Sequence, residues 1–268
     1  EAAELARGIE AAHVKASVLQ RIAAALVHAG DTEQALTTLS EAGELAQGID
    51  ATNVKSSVLQ RIAADLIRGG DTEQGLTILK QALAASLEIE NGYGKTSVLV
   101  GLATRLTDAN ASQEAREALR HAVKAATEIS DPNSKSLALS AISSALAKMG
   151  ETESAAEIVR LASKSAENIV DPRQRTSALR AIANTATRSG DKALGLETLM
   201  LAVESGEKIQ DQFRRGVLNG IARELVKVGG VEPAMRAIQT TTEPSSRVRS
   251  LCYIASALTA DGNREQEL

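Results

Sequence analysis

The sequence predicts an all-α protein, an α-solenoid built as a superhelix of antiparallel two-helix repeats. Three observations carry this prediction: a repeat of forty residues, apolar side chains at helical spacing within each repeat, and almost no aromatic residues. Of 268 residues only three are aromatic, namely Tyr93, Phe213 and Tyr253. A globular core of this size normally buries large rings, whereas the thin core between stacked repeats is filled by alanine, leucine and isoleucine.

The repeat is clearest over the first eighty residues, because residues 1–40 and 41–80 are identical at 27 of 40 positions. One apolar position then recurs through the chain as Ile22, Ile62, Leu102, Ile142, Ile182 and, after a slip of one residue, Ile221. This period predicts a single array over residues 1–268. Its units cover 11–49, 51–89, 91–129, 131–169, 171–209 and 211–240, with partial units at both ends.

Each unit is interpreted as two helices. In the first unit Leu19, Ile22 and Leu26 recur at three- and four-residue spacing, which is typical of an amphipathic helix. Gly30 is suited to a left-handed turn after that helix, and Asp31 can cap the helix that follows. The second helix continues with apolar residues at the same spacing. No stretch alternates at period two, so no strand is predicted.

The return from one unit to the next is predicted to use an aspartate. The candidates are Asp50, Asp131, Asp171 and Asp211. At two of them a proline follows directly, which is typical of a helix start. Asn91-Gly92 falls in such a linker. Because the chain begins at Glu1 and both ends lie inside the repeat phase, we expect a fragment of a larger protein. The alternative is that the two half-repeats act as caps.

Small residues recur at four positions of each unit, one in the first helix, one in the turn and two in the second helix. They are Ala23, Gly30, Ala35 and Ala42; Ala63, Gly70, Gly75 and Ala82; Ala103, Asn110, Ala115 and Ala122; Ser143, Gly150, Ala155 and Ala162; Ala183, Gly190, Gly195 and Ala202; and Ala222, Gly229 and Ala234. This pattern resembles the tetratricopeptide repeat. It departs from that family in its period of forty and in its lack of bulky aromatics, and a HEAT-like or armadillo-like array is the alternative.

The resemblance implies a function in protein–protein recognition. In tetratricopeptide proteins a peptide or protein partner binds the concave surface lined by the first helices. A scaffold or recognition module of this kind is therefore the expected function. The alternatives are a helical-repeat array that binds RNA, which would need a more basic chain, and an inert structural spacer.

Charge is distributed unevenly between the two kinds of helix. The first helices carry Arg21, Arg61, Arg68, Arg105, Lys148, Arg180, Arg188, Arg223, Lys227 and Arg249. The second helices carry Glu33, Glu41, Glu44, Glu73, Glu88, Glu114, Glu117, Glu151, Glu153, Glu157, Glu197 and Glu204. This predicts a basic inner wall that attracts an acidic peptide. Helix dipoles, which favour acids at N-termini and bases at C-termini, are the alternative explanation.

A candidate ligand-binding patch lies on the later first helices. Some tetratricopeptide proteins hold a partner's terminal carboxylate with lysine, asparagine and arginine, and the residue types here resemble such a clamp. The candidate residues are Arg180, Asn184, Asn219, Arg223, Arg249 and Tyr253. The resemblance is incomplete, because Gly220 stands where an asparagine is expected and the lysine is missing.

No motif indicates an enzyme, a cofactor or a metal. Gly94-Lys95-Thr96 resembles the end of a phosphate-binding loop, but Ile89 occupies the position of the required glycine. The three histidines, His13, His28 and His121, fall at different repeat positions and lack partners at metal-ligand spacing.

Other features of the sequence restrict the cellular compartment and the classes of partner. The single cysteine, Cys252, lacks an activating base, and it slightly favours a reducing, cytoplasmic compartment. Asn110-Ala111-Ser112 fits a glycosylation sequon but is better explained as a turn. A formal charge of −4 makes nucleic acid an unlikely partner. No apolar run is long enough to insert into a membrane.

Overall fold

The computed structural model describes residues 6, 8–239, 248, 251, 252, 255 and 256. Within residues 8–239 the chain forms twelve helices and no strand, which confirms the all-α prediction. The helices are α1 (Ala12–Ala29), α2 (Thr32–Gln47), α3 (Thr52–Arg68), α4 (Thr72–Leu87), α5 (Gly92–Asp108), α6 (Ser112–Thr127), α7 (Pro132–Lys148), α8 (Thr152–Glu167), α9 (Pro172–Arg188), α10 (Lys192–Glu207), α11 (Asp211–Lys227) and α12 (Val231–Gln239). Odd-numbered helices are the first helices of their repeats, and even-numbered helices are the second.

The chain divides into two compact units, residues 1–129 and residues 130–268. Unit 1 contains α1 to α6, and unit 2 contains α7 to α12. In each unit the two helices of a hairpin pack side by side, and each hairpin packs on the one before it; α1 contacts α3, and α7 contacts α9. Each unit is therefore an α-solenoid of antiparallel two-helix repeats. One continuous array over residues 1–268 stays a prediction.

The turn inside each hairpin depends on a residue with left-handed backbone geometry. Five of these turns use glycine, with φ between 81° and 98°, and the turn between α5 and α6 uses Asn110 at φ 60°. The glycines are Gly30, Gly70, Gly150, Gly190 and Gly229. Because left-handed geometry costs least for glycine and then for asparagine, the repeated Gly identified the turns correctly. Asn110 occupies the same structural place, as the sequence predicted.

Aspartates cap many of the helices. The Asp31 carboxylate accepts a hydrogen bond from the Gln34 backbone N–H at 3.2 Å, and Asp71 caps α4 in the same way. On the first helices Asp131 and Asp171 cap α7 and α9, as predicted. At the two other linkers the N-cap is not the aspartate: Ala51 and Gln210 are the N-cap residues of α3 and α11, and neither makes a side-chain cap.

The Asp131 cap makes a testable contribution to acid stability. Hydrogen bonds from the Ser134 side chain, and then from its backbone N–H, hold the pKa of Asp131 below its usual range. A carboxyl whose pKa is lower in the folded state stabilises that state above its unfolded pKa, and the contribution is lost as pH falls through the folded pKa. Below about pH 4 we therefore expect the melting temperature of the wild type to fall more steeply than that of Asp131→Asn, which keeps a capping side chain. Parallel pH profiles of the two melting temperatures, followed by circular dichroism, would contradict this assignment.

The core of each unit is built from repeated aliphatic and small side chains. One leucine per first helix is at most 2% exposed: Leu19, Leu59, Leu99, Leu139, Leu179 and Leu218. The alanines that suggested the tetratricopeptide resemblance are buried as well, with Ala23, Ala35 and Ala42 each 0% exposed. At the position of Ala35 the second repeat has Gly75, where a Cβ atom would lie 2.5 Å from Ile67 Cγ1. Close helix packing therefore needs small residues at these positions, which explains the scarcity of aromatics.

Successive hairpins are displaced along the helix axis. Hydrogen bonds between side chains of consecutive first helices join residues 44 or 45 apart: Gln20–Asp65, Ser17–Arg61, Ser140–Thr185 and Arg180–Glu224. Bonds between consecutive second helices join residues 34 or 35 apart: Gln47–Gln81, Ser40–Gln74 and Ser163–Thr198. The spacing is longer than the forty-residue repeat on the first helices and shorter on the second helices. Because the two helices of a hairpin run antiparallel, both differences correspond to a displacement of the hairpin in the same direction. Within each unit, neighbouring hairpins are therefore displaced by somewhat more than one helical turn, about 7 Å.

Candidate interaction surface

Four of the six predicted ligand-binding residues lie in the described part of unit 2. Arg180 and Asn184 lie on α9, one turn apart, and Asn219 and Arg223 lie on α11. Arg249 and Tyr253 are outside the described residues. Asn184 and Arg223 are exposed, whereas Arg180 and Asn219 are partly buried. The structure therefore places the four described residues on two consecutive first helices.

Arg180 forms an ion pair with an acid that the sequence reasoning missed. Its Nε and one terminal nitrogen donate to the two carboxylate oxygens of Glu224, at 3.0 Å and 2.5 Å. The side chains are 33% and 19% exposed. The hydrogen bond to Glu224 is the main reason why the pKa of Arg180 is raised. Glu224 could have been noticed as an acid on a first helix, but its distance of 44 residues from Arg180 exceeds the repeat period.

The Arg180–Glu224 pair belongs to a series that joins hairpins. We number positions as in the first repeat, and the one-residue slip in the sixth repeat is included. Position 20 of one repeat then bonds to position 25 of the next in three cases. We call these contacts junction pairs, and they are Gln20–Asp65, Ser140–Thr185 and Arg180–Glu224. Each couples two first helices through a different chemistry: amide with carboxylate, hydroxyl with hydroxyl, and guanidinium with carboxylate. Arg180 therefore has a structural role in the stack.

A second set of cations stabilises the ends of the second helices. At position 15, Lys55 Nζ donates to the Gln47 carbonyl at 2.7 Å, and Arg175 Nε donates to the Ile169 carbonyl at 2.7 Å. A cation at a helix C-terminus satisfies carbonyls that lack partners within the helix and interacts favourably with the helix dipole. Lys95 occupies the same position on the first turn of α5. Gly94-Lys95-Thr96 therefore lies at the start of a helix.

The predicted segregation of charge holds for the first helices and only in part for the second. In the sequence α7 and α9 contain no acid, and α9 carries Arg173, Arg175, Arg180 and Arg188. The second helices are mixed: α6 carries Arg116, Arg120 and Lys124 beside its two glutamates. The second helices therefore do not form a uniformly acidic wall.

Four exposed polar or cationic side chains lie at equivalent positions on α9 and α11. Asn184 and Arg223 share repeat position 24, and Arg188 and Lys227 share position 28. We call these four residues the α9–α11 patch. The nearby Asp191 accepts a hydrogen bond from the Leu194 backbone N–H at 2.9 Å, and Glu224 accepts from Arg180. Both carboxylates are thus already engaged by protein donors.

Among the described residues no group of three or more histidine, cysteine, aspartate or glutamate side chains could hold a metal ion. Cys252 is exposed. No helix in the part of the chain that the structure describes is long and apolar enough to cross a membrane.

The hairpins, their left-handed turns and the buried small residues define a helical repeat protein built from antiparallel two-helix units. No protein-family model matches the sequence, and no curated protein matches it. Among solved structures, the chain is similar to Ton1535 from Thermococcus onnurineus NA1, at 18% identity over 94% of each chain and a TM-score of 0.46. The nearly identical TPR-like repeats of a putative kinesin light chain from Podosopora anserina match at 15% identity, over 75% of this chain and 99% of that one, with a TM-score of 0.47. A circular tandem repeat protein matches at 14% identity, over 98% of this chain and 76% of that one, with a TM-score of 0.44.

Proposed function

We propose that this chain is a protein-interaction module whose first helices bind a peptide or protein partner, and that the α9–α11 patch receives an acidic segment of that partner. One observation carries the proposal. Asn184, Arg188, Arg223 and Lys227 are exposed at matching positions of consecutive first helices, and α9 contributes no acid of its own. A partner carboxylate would meet both hydrogen-bond donors and positive charge here.

The way the repeats vary supports a recognition surface. Buried positions keep one character throughout, as the six core leucines show. Position 24 instead changes along the chain: Ala24, Ala64, Thr104, Ser144, Asn184 and Arg223. A constant core with a changing exposed position is the arrangement by which a repeat scaffold presents different side chains to a ligand. In unit 1 the position is half-buried and holds alanine or threonine, whereas in unit 2 it is exposed and holds Ser144, Asn184 and Arg223, which favours unit 2 as the binding region.

Electrostatics would act mainly on association and specificity. Each exposed cation contributes little affinity by itself, because solvent screens it. Several cations on one face raise the local concentration of an acidic partner and disfavour a basic one. The exposed aromatics of the described chain, Tyr93 and Phe213, lie in different units, and Arg173 covers the Phe213 ring at 4.4 Å. A row of stacking platforms for single-stranded RNA is therefore poorly supported.

Binding of a labelled acidic peptide tests the proposal. We expect Arg188→Gln/Lys227→Gln to weaken binding of a fluorescein-labelled peptide of about eight glutamates by about tenfold, measured by fluorescence anisotropy at low salt. The matched control Arg120→Gln/Lys124→Gln removes the same charge from exposed positions of second helix α6. It should change the dissociation constant less than about twofold.

Two outcomes would contradict the proposal. Equal weakening by both double variants would mean that the peptide senses net charge and not the α9–α11 patch. An unchanged affinity in Arg188→Gln/Lys227→Gln would exclude the patch directly. A single-stranded RNA of matched charge that competes as well as the peptide, with the same dependence on Arg188 and Lys227, would favour the nucleic-acid alternative.

A further inference from the structure

The Arg180–Glu224 pair differs from the other junction pairs in charge and exposure. The Ser140–Thr185 pair is neutral. Asp65 of the Gln20–Asp65 pair is only 1% exposed, whereas the Arg180 and Glu224 side chains are 33% and 19% exposed. The helices that it joins are also spaced differently. The backbones of α7 and α9 approach within 8 Å at many points, whereas those of α9 and α11 scarcely do so. The pair therefore bridges a wider seam and is in contact with solvent.

The pair lies among the residues of the α9–α11 patch. Arg180 is one turn before Asn184 on α9, and Glu224 directly follows Arg223 on α11. Gly220 faces the guanidinium: a Cβ atom on this glycine would lie 3.3 Å from the Arg180 terminal nitrogen. The glycine thus leaves Arg180 room beside α11. Arg180 is in the right place to serve a ligand at the patch, but the edge of its guanidinium formed by Nε and one terminal nitrogen is occupied by Glu224.

We propose that Glu224 is an internal competitor of the acidic partner, holding the guanidinium edge of Arg180 that a partner carboxylate would otherwise take. This inference rests on the proposed function of the patch. The two parallel hydrogen bonds reproduce the geometry in which arginine binds a carboxylate ligand. A partner must exchange its own carboxylate for that of Glu224, so the pair lowers affinity for weak acidic ligands and selects those that present a carboxylate in the same orientation.

The exchange is compatible with the surrounding packing. A partly exposed ion pair is held less tightly than its geometry suggests, because water screens both charges and solvates the released carboxylate. Other contacts keep α11 in place: it packs on α10, and Phe213 contacts Arg173. Opening the Arg180–Glu224 pair therefore does not require the two first helices to separate.

The central experiment removes the competitor. We expect Glu224→Gln to bind the fluorescein-labelled glutamate peptide about tenfold more tightly than the wild type, by anisotropy at low salt. Arg180→Gln/Glu224→Gln should return to the wild-type dissociation constant, because the released guanidinium is gone. Glu204→Gln is the matched control, since it removes one negative charge from an exposed position on second helix α10 of the same unit. If Glu224→Gln binds no more tightly than Glu204→Gln, the inference is wrong.

A measurement on the wild type covers the case in which Glu224→Gln unfolds. The Arg180 side-chain Nε–Hε resonance, observed by NMR, should shift when the peptide is added, because the carboxylate beside it changes. A resonance that stays fixed at saturating peptide would overturn the inference. If Arg188→Gln/Lys227→Gln does not weaken peptide binding, the proposed function of the α9–α11 patch is contradicted. If that double variant weakens binding but Glu224→Gln does not strengthen it, only the proposal that Glu224 competes with the partner is contradicted.

Discussion

Replacing Leu99 by alanine should lower the free energy of unfolding by about 2–5 kcal/mol. Leu99 is 0% exposed and lies at the first-helix position that holds leucine in all six repeats. The substitution removes three carbon atoms from a close-packed layer and leaves a cavity that the rigid helices around it fill only in part. The loss is large because the Leu99 side chain is fully buried in the core of unit 1.

Urea denaturation monitored by circular dichroism measures this loss. Leu87→Ala in the same unit is the control, because Leu87 is 40% exposed and its truncation leaves no closed cavity. We expect that control to cost less than about 1 kcal/mol. Native-state hydrogen exchange adds a spatial check: each hairpin packs only on its neighbours, so lost protection in Leu99→Ala should concentrate in α3 to α6. Equal destabilisation by the two variants would show that Leu99 is not a core residue.

The second large effect concerns the buried junction pair of unit 1. Asp65 is 1% exposed and accepts a hydrogen bond from Gln20 Nε2 at 2.5 Å, and Arg68 donates to its other oxygen. Gln20→Leu leaves a buried carboxylate with one donor fewer, which should cost about 2–3 kcal/mol. Asp65→Ala leaves only a neutral amide without its acceptor and frees Arg68, whose side chain is already 57% exposed, so we expect about 1 kcal/mol.

A double-mutant cycle separates these terms. Gln20→Leu/Asp65→Ala removes both polar groups, so its loss should resemble that of Asp65→Ala alone and fall well short of the sum of the two single losses. Urea titrations of the four proteins supply the free energies of unfolding. Additive losses would mean that Gln20 and Asp65 do not interact, and a larger loss in Asp65→Ala than in Gln20→Leu would reverse the assigned order.

The local features of the fold followed from the sequence because local rules govern them. Gly30 predicted a left-handed turn and Asp31 predicted a cap, and both depend only on residues a few positions away. The buried alanines were identified by their recurrence every forty residues. At Ala51 and Gln210 the chain enters a helix without a side-chain cap although an aspartate stands next to each. A nearby acid does not determine which residue takes the capping geometry.

The candidate site could be located in the sequence but not interpreted there. Arg180 and Asn184 were found from their one-turn spacing, which a helix fixes. The partner of Arg180 depends on how one hairpin is displaced against the next, and the period of forty contains no information about that displacement. The same limit applies to the cations at position 15: the carbonyl acceptors of Lys55 and Arg175 depend on how the chain returns from one repeat to the next.

The one-turn displacement between hairpins also bears on how such an array grows by duplication. The segment that is copied has forty residues, but the two sides of each new contact come from different places in that segment, positions 20 and 25. A fresh copy of the first repeat would therefore set Gln20 against an alanine. Repeats one and two still agree at 27 of 40 positions, and one place where they differ is Ala25 against Asp65, the residue that meets Gln20. Copying supplies the helices, but the contact between copies needs a further change, such as alanine to aspartate at position 25.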